Sequence, residues 1–236
     1  MINVVLALMI IACFLVAVTI HEYAHALTAT LLGDSTPRSQ GRQSLRLRVQ
    51  LDPLGTLLCV VLAFQAFPMA LGWGKPVKTD PWKLRGGPNG GTLIVSLAGI
   101  LTSLGLGLLV SLGIRFLPAP LLDLSNGILF RVTQLLTVFA SVNVMLAIFN
   151  LLPLYPLDGY QILYTLLPSR QALKFARSAQ YGPLIIIGLV FILPFIGVLT
   201  HLDGFFLFRL PAFLLELVLY LLSLVSGYNL VIPYAF

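Results

Sequence analysis

Long apolar runs separated by short polar segments set the organisation of this chain. Residues 3–20 run on toward 32 with little polar interruption, and further apolar runs occupy 92–114, 127–152, 183–200 and 210–227. Each has about the length that a helix needs to cross some 30 Å of hydrocarbon, roughly 20 residues. In the polar stretch after the first run, Leu45-Arg46-Leu47-Arg48-Val49-Gln50-Leu51 alternates strictly, as a strand does, and Asp52-Pro53-Leu54-Gly55 follows as a turn signal. The pattern predicts an all-α polytopic membrane protein with about five to six transmembrane helices and a short re-entrant or β-hairpin element after the first.

Composition strengthens that reading, since 58% of the 236 residues are apolar and 9% charged, against roughly 25% charged in an ordinary soluble domain. The first run lacks a basic leader and continues helically into polar residues, so it reads as a retained span and not as a cleaved signal peptide. The net charge of +6 resides in short loops between apolar runs. There it favours a lipid bilayer as partner and excludes nucleic acid.

Three groups hold eleven of the fourteen basic residues: Arg38, Arg42, Arg46 and Arg48; Lys75, Lys78, Lys83 and Arg85; Arg170, Lys174 and Arg177. A full crossing over 54–72 would put the first two groups on opposite faces, against the enrichment of basic residues in cytoplasmic loops. A segment over 45–72 that dips in and returns removes the conflict, provided that protein or water covers its backbone. Five crossings follow, with six as the alternative if 54–72 spans. Residues 81–91 read as a flexible cytoplasmic connection and 168–180 as an inside loop. Cys13 and Cys59 sit in apolar runs without ligand spacing and read as packing residues.

His21-Glu22-Tyr23-Ala24-His25 lies inside the first helical run. Spacing of i and i+4 puts both imidazoles on one helix face, able to reach one metal ion, with a carboxylate beside the first. Two neutral imidazole nitrogens suit Zn²⁺, and a neighbouring glutamate can take a proton from water acidified by the metal. Ionisable residues inside a span are costly unless partnered, so they mark function. The chain has only two Glu and three His residues, and this motif holds one Glu and two His.

A third protein ligand is needed. Asp34, Asp52, Asp80, Asp123 and Asp203 fall in or near polar loops, whereas Asp158 follows a long apolar run in Asn150-Leu151-Leu152-Pro153-Leu154-Tyr155-Pro156-Leu157-Asp158-Gly159. Pro153 and Pro156 end regular helix there and Gly159 permits an unusual backbone, so the chain can bend Asp158 back toward the metal. His201, beside Asp203 and Gly204, is the rival ligand and reads more simply as an interfacial histidine.

On these residues the chain resembles the site-2 protease family of intramembrane zinc metalloproteases. His21-Glu22-Tyr23-Ala24-His25, Asn150-Leu151-Leu152-Pro153 and Leu157-Asp158-Gly159 occur in the family's order, over roughly residues 15 to 160. The resemblance implies His21, His25 and Asp158 as ligands of one Zn²⁺ per chain, Glu22 as general base and Asn150 as an aid to substrate binding or the oxyanion. It implies a zinc metalloendopeptidase that cleaves in or near a transmembrane helix of a protein substrate, in the plasma membrane of a prokaryote, with its active site toward the cytoplasm. Residues 1–160 are then the protease core and 161–236 accessory transmembrane helices.

Gly72-Trp73-Gly74-Lys75-Pro76-Val77 is similar to a segment of compact members that lack PDZ and CBS domains. The chain departs where such members often carry Asn-Pro and a His before Asp-Pro-Leu-Gly, having Arg46-Leu47 and Gln50 instead. It also has Ile100 and Ser103 where Pro and Asn often follow Ala-Gly. A helical peptide bond is shielded by its own hydrogen bonds, and a strand edge at 45–51 could accept the unwound, extended substrate by edge pairing. The alternative functions are a catalytically silent relative that binds membrane helices without cutting them, and an ion-coupled transporter using Glu22, Asp158 and Glu216. The second calls for paired repeats that are not evident in the sequence.

Overall fold

The computed structural model describes residues 3–65, 69–118, 127–201 and 208–230, with side chains described from Arg131 onward in the second half of the chain. Asp123 and Asp203 therefore lie outside the described residues.

Helix α1, Val4–Leu31, starts where the Asn3 side chain accepts a hydrogen bond from the Leu6 amide at 3.0 Å, satisfying one of the donors left free in a first turn. One face is buried throughout: Leu6, Ile10, Phe14, Ala17 and Val18 continue into His21, Glu22 and His25. Val5, Leu8, Val16 and Leu27 on the outside stay exposed, as expected where the surrounding solvent is hydrocarbon. Gly33, at φ 105°, turns the chain out of the helix.

Among the described residues, four helices are long and apolar enough to cross a membrane, within Val4–Leu31, Gly87–Ile114, Arg131–Asn150 and Ser169–Leu199. Between the first two, Thr36–Ser39 (α2) and Leu47–Gln50 (α3) are single turns, and Pro53–Ala63 (α4) has 11 residues. Eleven residues rise about 16 Å, half of a hydrocarbon core. Leu51 pairs antiparallel with Gly74, and the Lys75 amide donates to the Gln50 carbonyl at 2.7 Å. The segment thus returns to the level at which it left. This return supports the re-entrant reading of 45–72 over a full crossing of 54–72.

The strand expected over 45–51 is not formed. Leu45 and Leu47 are 63% and 44% exposed, so the alternation buries no face and nothing holds that stretch extended. Buried Gln50 instead donates to the carbonyls of Arg42 and Ser44 at 2.8 and 2.6 Å, drawing 47–50 into a helical turn. Pairing contracts to the single Leu51–Gly74 bridge.

Residues 81–91 are also not a loose connection. Asp34, fully buried, accepts from the amides of Thr36 and Asp80 at 2.9 and 2.7 Å, and the Arg85 amide donates to the Leu32 carbonyl at 2.8 Å. Burial pushes the Asp34 carboxyl up, but hydrogen bonds from Thr36 and the Asp80 amide, with Lys83 nearby, outweigh it and hold the group below the usual carboxylate range.

Helix α5, Gly87–Ile114, packs on α6, Gly127–Asn150, where a Cβ at Gly107 would come within 2.5 Å of Val144 and 2.9 Å of the Ala140 carbonyl. Close approach at small residues is how helices associate in lipid. After α6 come α7, Asp158–Leu166, and α8, Ser169–Ala176, so the loop expected over 168–180 is largely helical, with Arg170 and Lys174 exposed. Then follow α9, Gly182–Ile187, a π-helical turn at Gly188–Ile192, α10, Leu193–Leu199, and α11, Leu210–Ser226. Pro194 has no amide to donate, which accounts for the shifted bonding just before it. The Ser111 hydroxyl donates to the Leu222 carbonyl at 2.8 Å and joins α11 to α5.

Candidate active site

Four elements converge on the polar end of the α1 face. His21 and His25, one turn apart, have their ring centroids 4.7 Å from one another in an edge-on arrangement. Asp158 opens α7, brought there by the irregular stretch after Asn150. A Cβ at Gly159 would meet the Leu151 carbonyl carbon at 2.5 Å, so this tight fold of chain requires glycine. One carboxylate oxygen, Asp158 Oδ2, lies 2.9 Å from His21 Nε2 and 3.2 Å from His25 Nε2. Among the described residues this is the metal-capable group, with its ligand atoms all within 4.8 Å of one another.

The opposite edges of both rings are held from α5. His25 Nδ1 is 2.7 Å from the Val95 carbonyl, and His21 Nδ1 is 2.9 Å from Ser103 Oγ. A carbonyl only accepts, so His25 Nδ1 carries the hydrogen, and the Nε2 of the neutral ring is left as a bare lone pair. That atom is buried without a hydrogen-bond partner and faces a carboxylate oxygen. His21 Nε2 can share a proton with Asp158 Oδ2 at 2.9 Å, but the His25 lone pair and the same anionic oxygen, 3.2 Å apart, repel each other unless a cation lies between them. The donor set of two nitrogens and one carboxylate oxygen suits zinc, and outer-edge hydrogen bonds of this kind fix the tautomer of a metal-binding imidazole. The residues present fit the metal.

Two glycines leave no room for an added atom beside these groups. A Cβ at Gly99 would lie 2.5 Å from His25 Cε1 and 2.8 Å from His21 Nε2, and one at Gly74 would lie 2.5 Å from Glu22 Cγ. Glu22 is buried against that glycine, with Oε2 3.4 Å from Arg42 Nη2. A cavity of about 260 Å³ opens beside these groups, lined by Glu22, His25, Asp158, Asn150, Trp73 and Tyr160 among others. Asn150 is buried at its wall and donates to the Leu146 carbonyl at 2.9 Å, which uses one of its two amide hydrogens.

All five residues singled out from the sequence, His21, Glu22, His25, Asn150 and Asp158, are thus brought to one place. His201 is not, since it sits on an exposed turn after α10 at φ 56°. Glu216 is exposed and pairs with Arg209 at 3.3 Å. Cys13 and Cys59 are buried and unpaired. Sequence reasoning missed Val95, Ser103, Arg42 and the wall at Trp73–Gly74. The small residues at Ser96, Gly99 and Ser103, one turn apart on α5, were the signal available for part of this.

An apolar helical bundle in which His-Glu-x-x-His meets a carboxylate at the edge of a cavity defines an intramembrane metalloprotease. The sequence profile of peptidase family M50 matches residues 9–195. A Bacillus subtilis (strain 168) protein named "Putative zinc metalloprotease YwhC" is 34% identical over 181 residues, covering 73% of this chain and 75% of that protein. No solved structure matches the chain. The chain belongs to peptidase family M50, the site-2 protease family, and is an integral-membrane zinc metalloprotease.

Proposed function

We propose that the chain hydrolyses a peptide bond in or near a transmembrane helix of its substrate, with His21, His25 and Asp158 holding one zinc ion and Glu22 acting as general base. The observation that carries this reading is the convergence of both Nε2 atoms on Asp158 Oδ2, with Glu22, His25 and Asp158 lining one cavity. When bound, zinc supplies a Lewis acid that polarises the scissile carbonyl and makes water acidic enough to react near neutral pH.

The protein's own groups do the rest. Glu22 takes the proton that the attacking water releases and delivers it to the departing amine, as a buried carboxylate at the cavity wall can do. Val95 and Ser103 fix both imidazoles by their outer edges, so the inner nitrogens are presented without rotation. The unused amide hydrogen of Asn150 is available to the oxygen on which charge develops. A helical substrate must unwind before its carbonyl is accessible, because its own hydrogen bonds shield it. The edge pairing expected at 45–51 has no strand to support it. The basic residues at Arg38, Arg46, Arg48, Lys75 and Lys78 are exposed, which supports a cytoplasmic orientation of this end of the bundle, in a prokaryotic plasma membrane. Residues 161–236 then act as accessory helices against the core.

Elemental analysis of purified protein, paired with cleavage of a membrane-embedded substrate, tests the proposal. Glu22→Gln keeps size and hydrogen bonding, so it is expected to retain one zinc per chain while activity falls by about 10²–10⁴-fold. Parent-like cleavage by Glu22→Gln would remove the base. Absence of zinc, with no activity restored by adding it, would remove the whole mechanism.

A further inference from the structure

Arg42 is neither a candidate ligand nor the base; it stands in the polar stretch between α2 and α3, yet it is 5% exposed and reaches three separate parts of the chain. Its Nη2 is 3.4 Å from Glu22 Oε2. The same guanidinium donates to the Val49 carbonyl through Nη1 and to the Lys75 carbonyl through Nη2. Those carbonyls stand just before and just after the Leu51–Gly74 bridge, where the re-entrant segment leaves and returns. Glu22 is therefore enclosed by the Gly74 backbone on one side and by Arg42 on another, and Arg42 is itself anchored to the carbonyl next to Gly74. Arg42 is not part of the cavity lining, whereas Glu22, Trp73 and Gly74 are.

From this we infer that Arg42 is a positioning residue for the reaction: its planar fork sets where the Glu22 carboxylate stands relative to the cavity wall formed by Trp73 and Gly74. The inference rests on the reading of Glu22 as general base. The physical case is one of geometry. A glutamate has three rotatable bonds, and a base must lie within hydrogen-bond reach of the proton it takes, at about 2.6–3.2 Å. Glu22 has no helix neighbour that fixes its carboxylate, and among the described residues Arg42 is its ion-pair partner. A guanidinium that meets one carboxylate and two carbonyls at once has a rigid arrangement of donors that lysine lacks. Removing Arg42 leaves the wall in place, because the Lys75 amide still donates to the Gln50 carbonyl and the Leu51–Gly74 bridge is backbone to backbone. What is lost is the fixed position of the carboxylate.

The test is a four-way comparison of parent, Arg42→Gln, Glu22→Gln and the double variant, with a membrane-embedded model substrate, reading kcat and KM separately and zinc content alongside. For Arg42→Gln the expected result is a kcat lower by about 10–10²-fold, the range in which a misplacement of about 1 Å acts. KM stays within about threefold and zinc remains stoichiometric, since the wall and the ligands are untouched. In the Glu22→Gln background the same change costs less than about twofold, because no base remains to be positioned. Arg42→Lys, which keeps a charged donor, regains part of the lost kcat in the parent background only. A parent-like kcat for Arg42→Gln, or an equal loss in both backgrounds, overturns the inference and leaves Glu22 as base. Parent-like activity of Glu22→Gln overturns the base itself. If Arg42→Gln fails to fold, Arg42→Lys is read in both backgrounds against the same criterion: equal losses overturn the inference, and a loss confined to the Glu22 background supports it.

Discussion

Gly99→Ala adds one methyl group at the point where α5 passes the two imidazoles. The new Cβ would sit 2.5 Å from His25 Cε1 and 2.8 Å from His21 Nε2, and closer still to His25 Nε2. Ordinary contact between such atoms is about 3.5 Å or more, so at least one ring or the helix must shift by roughly 1 Å. Zinc–nitrogen bonds of about 2.0–2.1 Å are held to within about 0.2 Å in a good site. The required shift is several times that tolerance.

Rotation of the rings cannot absorb the shift cheaply, because their far edges are bound to Val95 and Ser103 on the same helix that carries the intruding methyl. Changes to residues that merely orient ligands cost about 10–100-fold in metal affinity. A direct intrusion should cost at least about 100-fold, or about 2.8 kcal/mol. The fold itself is not at risk from propensity, since alanine is better than glycine inside a helix by about 1 kcal/mol. Gly105 on the same helix has open space where an added methyl would sit and provides the matched control. The assay is zinc retention against a graded chelator, followed by elemental analysis, with thermal unfolding of the metal-free proteins alongside. Gly99→Ala should lose zinc while Gly105→Ala keeps it, with similar metal-free stability. Parent-like zinc affinity in Gly99→Ala would refute the argument that the metal lies among His21, His25 and Asp158.

Gly74→Ala brings a Cβ to 2.5 Å from Glu22 Cγ, so zinc should be retained while kcat falls by about 10²-fold, the cost of about 1 Å of misplacement; unchanged turnover would show that the carboxylate can move freely. Asp158→Ala removes one of the three proposed protein ligands, and chelator titration should then strip zinc at far lower concentration; unchanged retention would move the third-ligand role to another residue. Asp34→Asn can set a donor against the Asp80 amide in place of the acceptor at 2.7 Å, a buried mismatch worth roughly 1–3 kcal/mol; an unaltered thermal midpoint would show that this tie carries no stability. With Cys13 and Cys59 replaced, single cysteines at the exposed positions Ser39 and Lys78 should be labelled from the same face of the membrane, and opposite-face labelling would overturn the re-entrant segment.

The long spans were legible in the sequence because an apolar run of sufficient length has one stable outcome in lipid. The ends of α1, α5, α6 and α11 fall within a few residues of the expected runs. The two histidines were legible because they share a local helix face. Asp158 could be singled out because Pro153, Pro156 and Gly159 mark a bend, although its distance from His21 is a property of the whole bundle. Residues 45–51 misled because alternation signals a strand only if one face is buried, and here Leu45 and Leu47 are exposed while Gln50 is buried. Arg42 was counted as one of a group of surface charges. Nothing local distinguishes it from Arg38 or Arg46, since its partners Glu22 and Lys75 are 20 and 33 positions away.

That distribution of partners explains how a polar site can form inside an apolar bundle. The α1 face changes from Leu6, Ile10 and Phe14 to His21, Glu22 and His25 within one uninterrupted helix, and no group on α1 itself satisfies the new polar atoms. His21 is met by Ser103 and His25 by Val95, both on α5; Glu22 is met by Arg42, ahead of the re-entrant segment; both imidazoles meet Asp158, beyond α6. Until those elements pack, α1 alone must carry buried ionisable groups at a cost of several kcal/mol each. Backbone hydrogen bonding keeps it helical meanwhile, because a helix satisfies its own main chain in lipid. The site is therefore assembled by packing and not by local folding. Gly74, Gly99 and Gly159 lie where separate elements pass one another without room for a side chain.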